Sequence, residues 1–332
     1  MPGAVRADLV GTPENPVPTE ARSLIVRAAD GLALRLAQWP ASAMPIQGSV
    51  LLLQGRAEFI EKYFETIDHF RARGFDVVSF DWRGQGGSER LTRNPKKGHV
   101  RRFLDYHRDL DAAFAEMDAR ASPRPWFVVA HSMGAAIFLA RLGRGPTPAL
   151  RAALMSPMIA FSPMIAPRYA VAIAATLAGL GLGRSFVPGG GPASISTGPF
   201  ENNRLSTDRA RYERNAAILS VAPDLAIGAP TVDWAASAAY MMRGLSDPNF
   251  PRAITTPLLV VASGDDRVVA TKATERFASR LKSGSAIVIA GARHELLMER
   301  DFLRHQALAA IDAFIPGGEL SLREQTRTTA SA

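Results

Sequence analysis

Short apolar runs recur along the chain and stop abruptly at small or polar residues. They are SVLLLQG (49–55), FDVVSFD (75–81), WFVVA (126–130), AALMS (152–156), PLLVVAS (257–263) and AIVIA (286–290). Each is too short for a helix and rich in branched side chains, and near-continuous apolarity predicts strands buried on both faces. Between them apolar residues return every third or fourth position. That period predicts helices over Ile60–Arg73, Phe103–Ala119, Met133–Leu142, Thr271–Leu281 and Asp301–Phe314. Buried strands alternating with helices imply an α/β fold whose mostly parallel central sheet is flanked by helices.

The alternation fails between Pro157 and Pro251, where the sequence is punctuated by proline and glycine and holds no buried-strand run. Residues 157–250 are therefore expected to form a helical lid inserted after the sixth strand, over the sheet edge where open α/β folds bind ligands. The core is then 23–156 together with 251–316. Residues 1–22 read as a disordered or loosely attached arm, and 317–332 as a polar tail. The most apolar stretch, Tyr169–Gly183, lies between Arg168 and Arg184 and is too short to span a bilayer. It suits either the wall of an apolar tunnel or membrane-facing flap, or a lid helix packed on the core.

Candidate chemistry centres on VVAHSMGAAI (128–137), where a strand turns sharply into a helix at Ser132. A serine hydroxyl attacks a carbonyl only if it protrudes and a base removes its proton, and a strand–turn–helix elbow supplies the protrusion. Strand and helix backbones pass closely there, so the positions two before and two after the serine must be small; Ala130 and Gly134 are. The competing reading is a serine that merely caps the helix. Its partners should follow in the order acid, then histidine, each on a loop beyond a strand. Asp265 and Asp266 follow PLLVVAS, and His294 follows AIVIA. Asp266 is preferred because it opens the D-x-x-V pattern, with Asp265 as the alternative. Oxyanion stabilisation needs two backbone N–H donors: Met133, directly after the serine, and Arg56, in the loop after SVLLL.

Bulk composition narrows the classes. The 332 residues are 47% apolar and 21% charged, ordinary for a globular chain. The chain has no cysteine, which excludes disulfides, thiolate metal sites and a cysteine nucleophile. No histidines and carboxylates stand at metal-ligand spacing, so neither metal nor cofactor is expected. A net charge of +8 favours anionic surfaces. Without basic–aromatic interleaving or a finger motif, nucleic acid is not the expected partner. The first residues contain no apolar signal-peptide core. The expectation is a cytoplasmic protein, with peripheral contact to an anionic membrane surface.

GRAEFIEKYFETIDHFRARGFDVVSFDWRGQGGS (55–88), GHVRRFLDYHRDL (98–110), AHSMG (130–134) and GARHELLMERD (291–301) resemble the α/β-hydrolase superfamily. The similarity is to its serine hydrolases of the monoacylglycerol lipase and bacterial lysophospholipase L2 type, and it extends from about residue 20 to 315. Two stretches of the insertion, LSTDRARYERN (205–215) and GAPTVDW (228–234), resemble the lysophospholipase more. The resemblance implies hydrolysis of a single-chain lipid ester, or acyl transfer, through Ser132, Asp266 and His294. Two positions depart from the family pattern: Gln54 stands where histidine is usual before Gly55, and Trp82 where histidine follows Asp81. Arg209, Arg211 and Arg214, with Arg204, form a basic cluster suited to a phosphate head group or, alternatively, a solvated face paired with Asp208 and Glu213. Other readings on the same scaffold are a monoacylglycerol lipase or carboxylesterase, an aminopeptidase gripping its substrate amine through Glu201, Asp224 or Asp233, and a binding module without catalysis.

Overall fold

A computed structural model describes residues 5–164 and 170–316. Eight strands form one sheet: β1 (Arg22–Arg27), β2 (Ala33–Trp39), β3 (Gly48–Leu53), β4 (Phe75–Phe80), β5 (Trp126–His131), β6 (Ala149–Met155), β7 (Leu258–Ser263) and β8 (Gly284–Ile289). Their spatial order is β1-β2-β4-β3-β5-β6-β7-β8. Only the β1–β2 and β2–β4 pairs are antiparallel; all others are parallel. Nine α-helices are present among the described residues: α1 (Phe64–Ala72), α2 (Asp105–Ala119), α3 (Ser132–Leu142), α4 (Ala170–Leu177), α5 (Arg209–Val221), α6 (Val232–Leu245), α7 (Phe250–Ala253), α8 (Thr271–Ala278) and α9 (Asp301–Phe314).

The two-residue period of a strand sorts side chains into two cores. Leu51, Leu53, Val128 and Ala130 join the layer of α2, α3 and α8, while Val50, Leu52, Phe127 and Val129 join that of α1 and α9. Strands β3, β5 and β7 are buried along their whole length. β8 differs: it is an outer strand, and its middle residues Ile287 and Val288 are each 42% exposed.

The amino-terminal segment is docked rather than loose. Leu9, Val17 and Ala21 pack against the α1/α9 core, and Asn15 is 3% exposed with its side-chain amide donating to the Glu61 carbonyl at 2.8 Å. The Asp8 carbonyl in turn accepts from Arg35 at 3.0 Å. The expected polar tail, residues 317–332, lies outside the described residues, as do Arg168 and Tyr169.

Between β6 and β7 the described residues hold helices α4 to α7 and no strand of the sheet. Helix α6 leans on the core through Trp234, whose ring meets that of Phe103 edge-on at 5.3 Å. Helix α5 is tied to the core electrostatically. Arg211 and Arg214 both bind Glu65 of α1, and Arg211 also binds Asp301 of α9. In α4 and the π-turn Ala178–Leu182, Ala174 is buried, whereas Ile173, Leu180 and Leu182 are exposed. No helix among the described residues is long and apolar enough to cross a membrane.

Candidate active site

β5 ends at His131 and α3 begins at Ser132 without an intervening loop, which forces Ser132 to φ 49°. A non-glycine residue there carries backbone strain, and the elbow is the reason. Close approach explains the small flanking residues. A Cβ on Gly134 would lie 2.4 Å from the Gln54 carbonyl oxygen, and Ala130 pairs in register with Leu53 of β3. The elbow is thereby seated against the end of β3 and the loop that follows it.

His294 and Asp266 come from loops after β8 and β7, which are adjacent parallel strands. Ser132 Oγ lies 2.9 Å from His294 Nε2, and His294 Nδ1 lies 2.8 Å from Asp266 Oδ2. The second Asp266 oxygen accepts the Val268 and Val269 amides at 2.8 and 2.9 Å. Burial alone would push the Asp266 carboxyl up. The adjacent His294 and the two amides outweigh it and hold the group below its ordinary range. Asp265 instead turns outward to pair with Arg267 at 2.9 Å, its side chain about half exposed. The triple Ser132–His294–Asp266 is itself closed from solvent, Ser132 being 6% and His294 4% exposed.

The two positions that depart from the family pattern contact each other. Gln54 Nε2 donates to Asp81 Oδ1 at 3.1 Å, and Trp82 Nε1 donates to the Gln54 carbonyl at 2.9 Å. Gln85 completes the brace, accepting the Ala57 amide and donating to the carbonyls of Gly55 and Glu58. Loop 54–58, with the Arg56 amide at its centre, is thus pinned from one side. The Arg56 side chain donates to the Gly228 carbonyl and lies 5.3 Å from the centre of the Trp234 ring. Burial pulls its pKa down to about 10.

Sequence reasoning missed a buried polar group behind the elbow. Glu58 accepts from Lys62 at 3.0 Å and from the Tyr63 hydroxyl at 2.7 Å, and its Oε1 lies 3.0 Å from His131 Nδ1. Lys62 also reaches Glu295 at 2.5 Å. The E-x-x-x-K spacing of Glu58 and Lys62 was a visible signal, since such pairs meet on one side of a helical turn. His99, by contrast, bonds Thr231 Oγ1 at 2.8 Å and fixes the start of α6.

The arginines expected to meet a head group are engaged by carboxylates. Arg209 pairs with Glu201 and Glu213, Arg211 with Glu65, Asp208 and Asp301, and Arg214 with Glu65. The structure does not bring them to Ser132 through any contact among the described residues. Arg211 and Arg214 tie α5 to the core instead, while Arg209 pairs, among the described residues, only within the insertion.

A sheet with β1–β2–β4 antiparallel, a serine elbow after β5 and an acid and histidine after β7 and β8 define an α/β hydrolase. The chain belongs to the hydrolase family described as serine aminopeptidase, S33, which matches residues 44–301. It is 34% identical over 284 residues to lysophospholipase L2 of Escherichia coli (strain K12), covering 80% of this chain and 79% of that one. It is 26% identical to the monoacylglycerol lipase of Mycolicibacterium smegmatis, covering 76% and 83%. In structure it resembles a soluble variant of monoglyceride lipase from Saccharomyces cerevisiae, with TM-score 0.68 at 21% identity, covering 90% and 97%.

Proposed function

We propose that the chain hydrolyses the carboxylic ester of a single-chain lipid, a lysophospholipid foremost, with Ser132 as nucleophile, His294 as general base and Asp266 as the acid that orients it. The observation that carries this reading is the unbroken hydrogen-bonded line Ser132–His294–Asp266 ending on a strained elbow. His294 Nε2 takes the Ser132 proton as Oγ attacks the ester carbonyl, and Asp266 steadies the imidazolium that forms. The amides of Arg56 and Met133 receive the developing oxyanion. His294 then returns the proton to the leaving alcohol, and a water activated by the same imidazole releases the fatty acid. The lysophospholipid assignment leans on the 34% identical relative.

Residues 157–250 act in this reading as a lid, since the nucleophile is closed from solvent and must be uncovered for a lipid to enter. Exposed Ile173, Leu180 and Leu182 give that lid an apolar face for a lipid surface. Monoacylglycerol hydrolysis is the second reading, favoured by the similarity to monoacylglycerol lipases. Of the three carboxylates considered for gripping a substrate amine, Glu201 and Asp224 are already paired with Arg209 and Arg6.

The test is fatty acid release from a lysophospholipid and from a monoacylglycerol, side by side, with Ser132→Ala as control. Faster lysophospholipid cleavage that disappears in the variant supports the whole reading. Faster monoacylglycerol cleavage keeps the triad and replaces the head group. Activity that survives in Ser132→Ala refutes the nucleophile.

A further inference from the structure

The histidine that precedes the nucleophile has acceptors on both ring nitrogens. His131 Nδ1 faces the Glu58 carboxylate, 3.0 Å from Oε1 and 3.2 Å from Oε2, and Nε2 faces the His294 carbonyl oxygen at 3.2 Å. A carboxylate and a carbonyl accept only, so both nitrogens must carry hydrogen for both bonds to exist. A neutral imidazole has one N–H and can make only one of them.

We infer that His131 is a buried imidazolium that clamps the Arg56 loop to the His294 loop and so holds His294 in place against Ser132. This rests on the reading of Ser132 and His294 given above. His131 does not touch the reacting atoms and is a positioning residue. Its two bonds join the loop after β3, through Glu58, to the loop after β8, through the backbone of His294 itself. Both loops meet at the elbow whose first residue directly follows His131 in the chain.

The surroundings agree on the charge state. Burial disfavours a charged imidazole, but Glu58 overrides it and raises the His131 pKa above its ordinary value. Burial likewise disfavours the Glu58 carboxylate, and His131 and then Lys62 hold it well below its usual range. Lys62 is raised by Glu295 and Glu58 against its own burial, and burial keeps the Tyr63 phenol neutral. The groups facing His131 are therefore Glu58, Lys62 and Tyr63 from one side and His294 and Glu295 from the other, with Asp266 beyond His294. Two carboxylates beside His131 are matched by two cations, itself included. Space is equally committed, since a Cβ on Gly55 would lie 2.9 Å from both Glu58 Oε2 and His131 Nδ1.

The charge has a readable consequence. The His131 and His294 rings are 4.8 Å apart. Without the charge one of the two bonds is lost, and the imidazole that faces Ser132 is no longer held from both sides. His131→Gln retains a donor near the Nε2 position but no charge, and His131→Asn retains one near Nδ1 only.

The experiment is heteronuclear NMR of the imidazole nitrogens in the Ser132→Ala full-length protein at pH 7, combined with steady-state kinetics of His131→Gln, His131→Asn and wild type. We expect His131 to be doubly protonated. In His131→Gln kcat should fall about tenfold with KM nearly unchanged. His131→Asn, which leaves the His294 carbonyl without its donor, should show a larger loss of kcat. A neutral His131, or wild-type kcat in both His131 variants, overturns the inference even if Ser132→Ala is inactive. Hydrolysis retained by Ser132→Ala overturns the nucleophile assignment and this role for His131 with it, whatever the NMR reports. Should the His131 variants fail to fold, the NMR measurement alone decides the charge.

Discussion

Replacing Glu65 by glutamine tests what the arginines of α5 are for. Glu65 accepts from Arg211 through both carboxylate oxygens, at 2.6 and 2.9 Å, and from Arg214 at 2.9 Å, with Arg304 at 3.3 Å. Burial pushes its carboxyl up, but the Arg211 hydrogen bonds and the charges of Arg304, Arg211 and Arg214 bring it from an ordinary 4.5 down to about 2. Taken at face value that lowering is worth about 3.4 kcal/mol. The side chain is 28% exposed, so solvent screening reduces the figure to about 1–2 kcal/mol. The folded-state value lies below the unfolded one. The stabilisation is therefore present above about pH 5 and is lost as pH falls toward 2. Equilibrium denaturant unfolding of wild type and Glu65→Gln at pH 7 and near pH 3 measures it. A gap of about 1–2 kcal/mol at pH 7 that narrows by half or more at the lower pH is expected, while Arg209→Ala stays within about 0.5 kcal/mol of wild type. A gap of equal size at both pH values, or none at pH 7, refutes the argument that this cluster fastens α5 to the core.

Two further substitutions address the site directly. Asp266→Asn should lower kcat on the order of 10⁴ with little change in KM, whereas Asp265→Asn should leave kinetics within about twofold; steady-state rates in which Asp265 proves the sensitive position would reverse the pairing drawn here. Gly134→Ala places a methyl group 2.4 Å from the Gln54 carbonyl oxygen and 3.0 Å from that of Leu53, so kcat should fall about a hundredfold as the elbow shifts. Wild-type kcat in Gly134→Ala would show that the close approach does not set the position of Ser132.

The parallel half of the fold was legible because buried strands need little beyond their own sequence to declare themselves. Each predicted strand meets an observed one within a few residues, and the helix expected over Asp301–Phe314 is found with those bounds. The residues of strands β1 and β2 were not located in the sequence. β2 reads ALRLAQW, and its Arg35 is fully buried, its charge met by Glu61 and Asp81, which lie 26 and 46 positions away. No local pattern announces an arginine whose partners are that distant. The docking of residues 5–21 was hidden similarly, since it depends on Asn15 and Leu9 meeting surfaces formed by later residues. The order serine, acid, histidine placed all three side chains that the structure brings together, because chain order and strand adjacency determine which loops meet. Of the basic cluster's two readings, the pairing with Asp208 and Glu213 is observed, whereas the larger partner Glu65 was hidden because it stands 146 positions before Arg211. The same holds for His131, whose second acceptor is a backbone carbonyl that no side-chain motif can advertise.

The loop that carries His294 is held partly by the segment between β6 and β7. The Glu295 amide donates to the Leu205 carbonyl at 2.8 Å, Arg293 reaches the carbonyls of Asn203 and Ser206, and Ser206 Oγ donates to the Met298 carbonyl. Residues 203–206 are thus a splint for the histidine loop as well as a stretch of the insertion. Under the lid reading proposed above, an opening motion that swung the whole insertion as one body would break that splint, whereas one that leaves 203–206 in place would keep it. For anyone exchanging this segment between relatives, turnover and substrate range become a single inherited trait: a chimera that imports a foreign insertion also imports, or forfeits, the alignment of its own base.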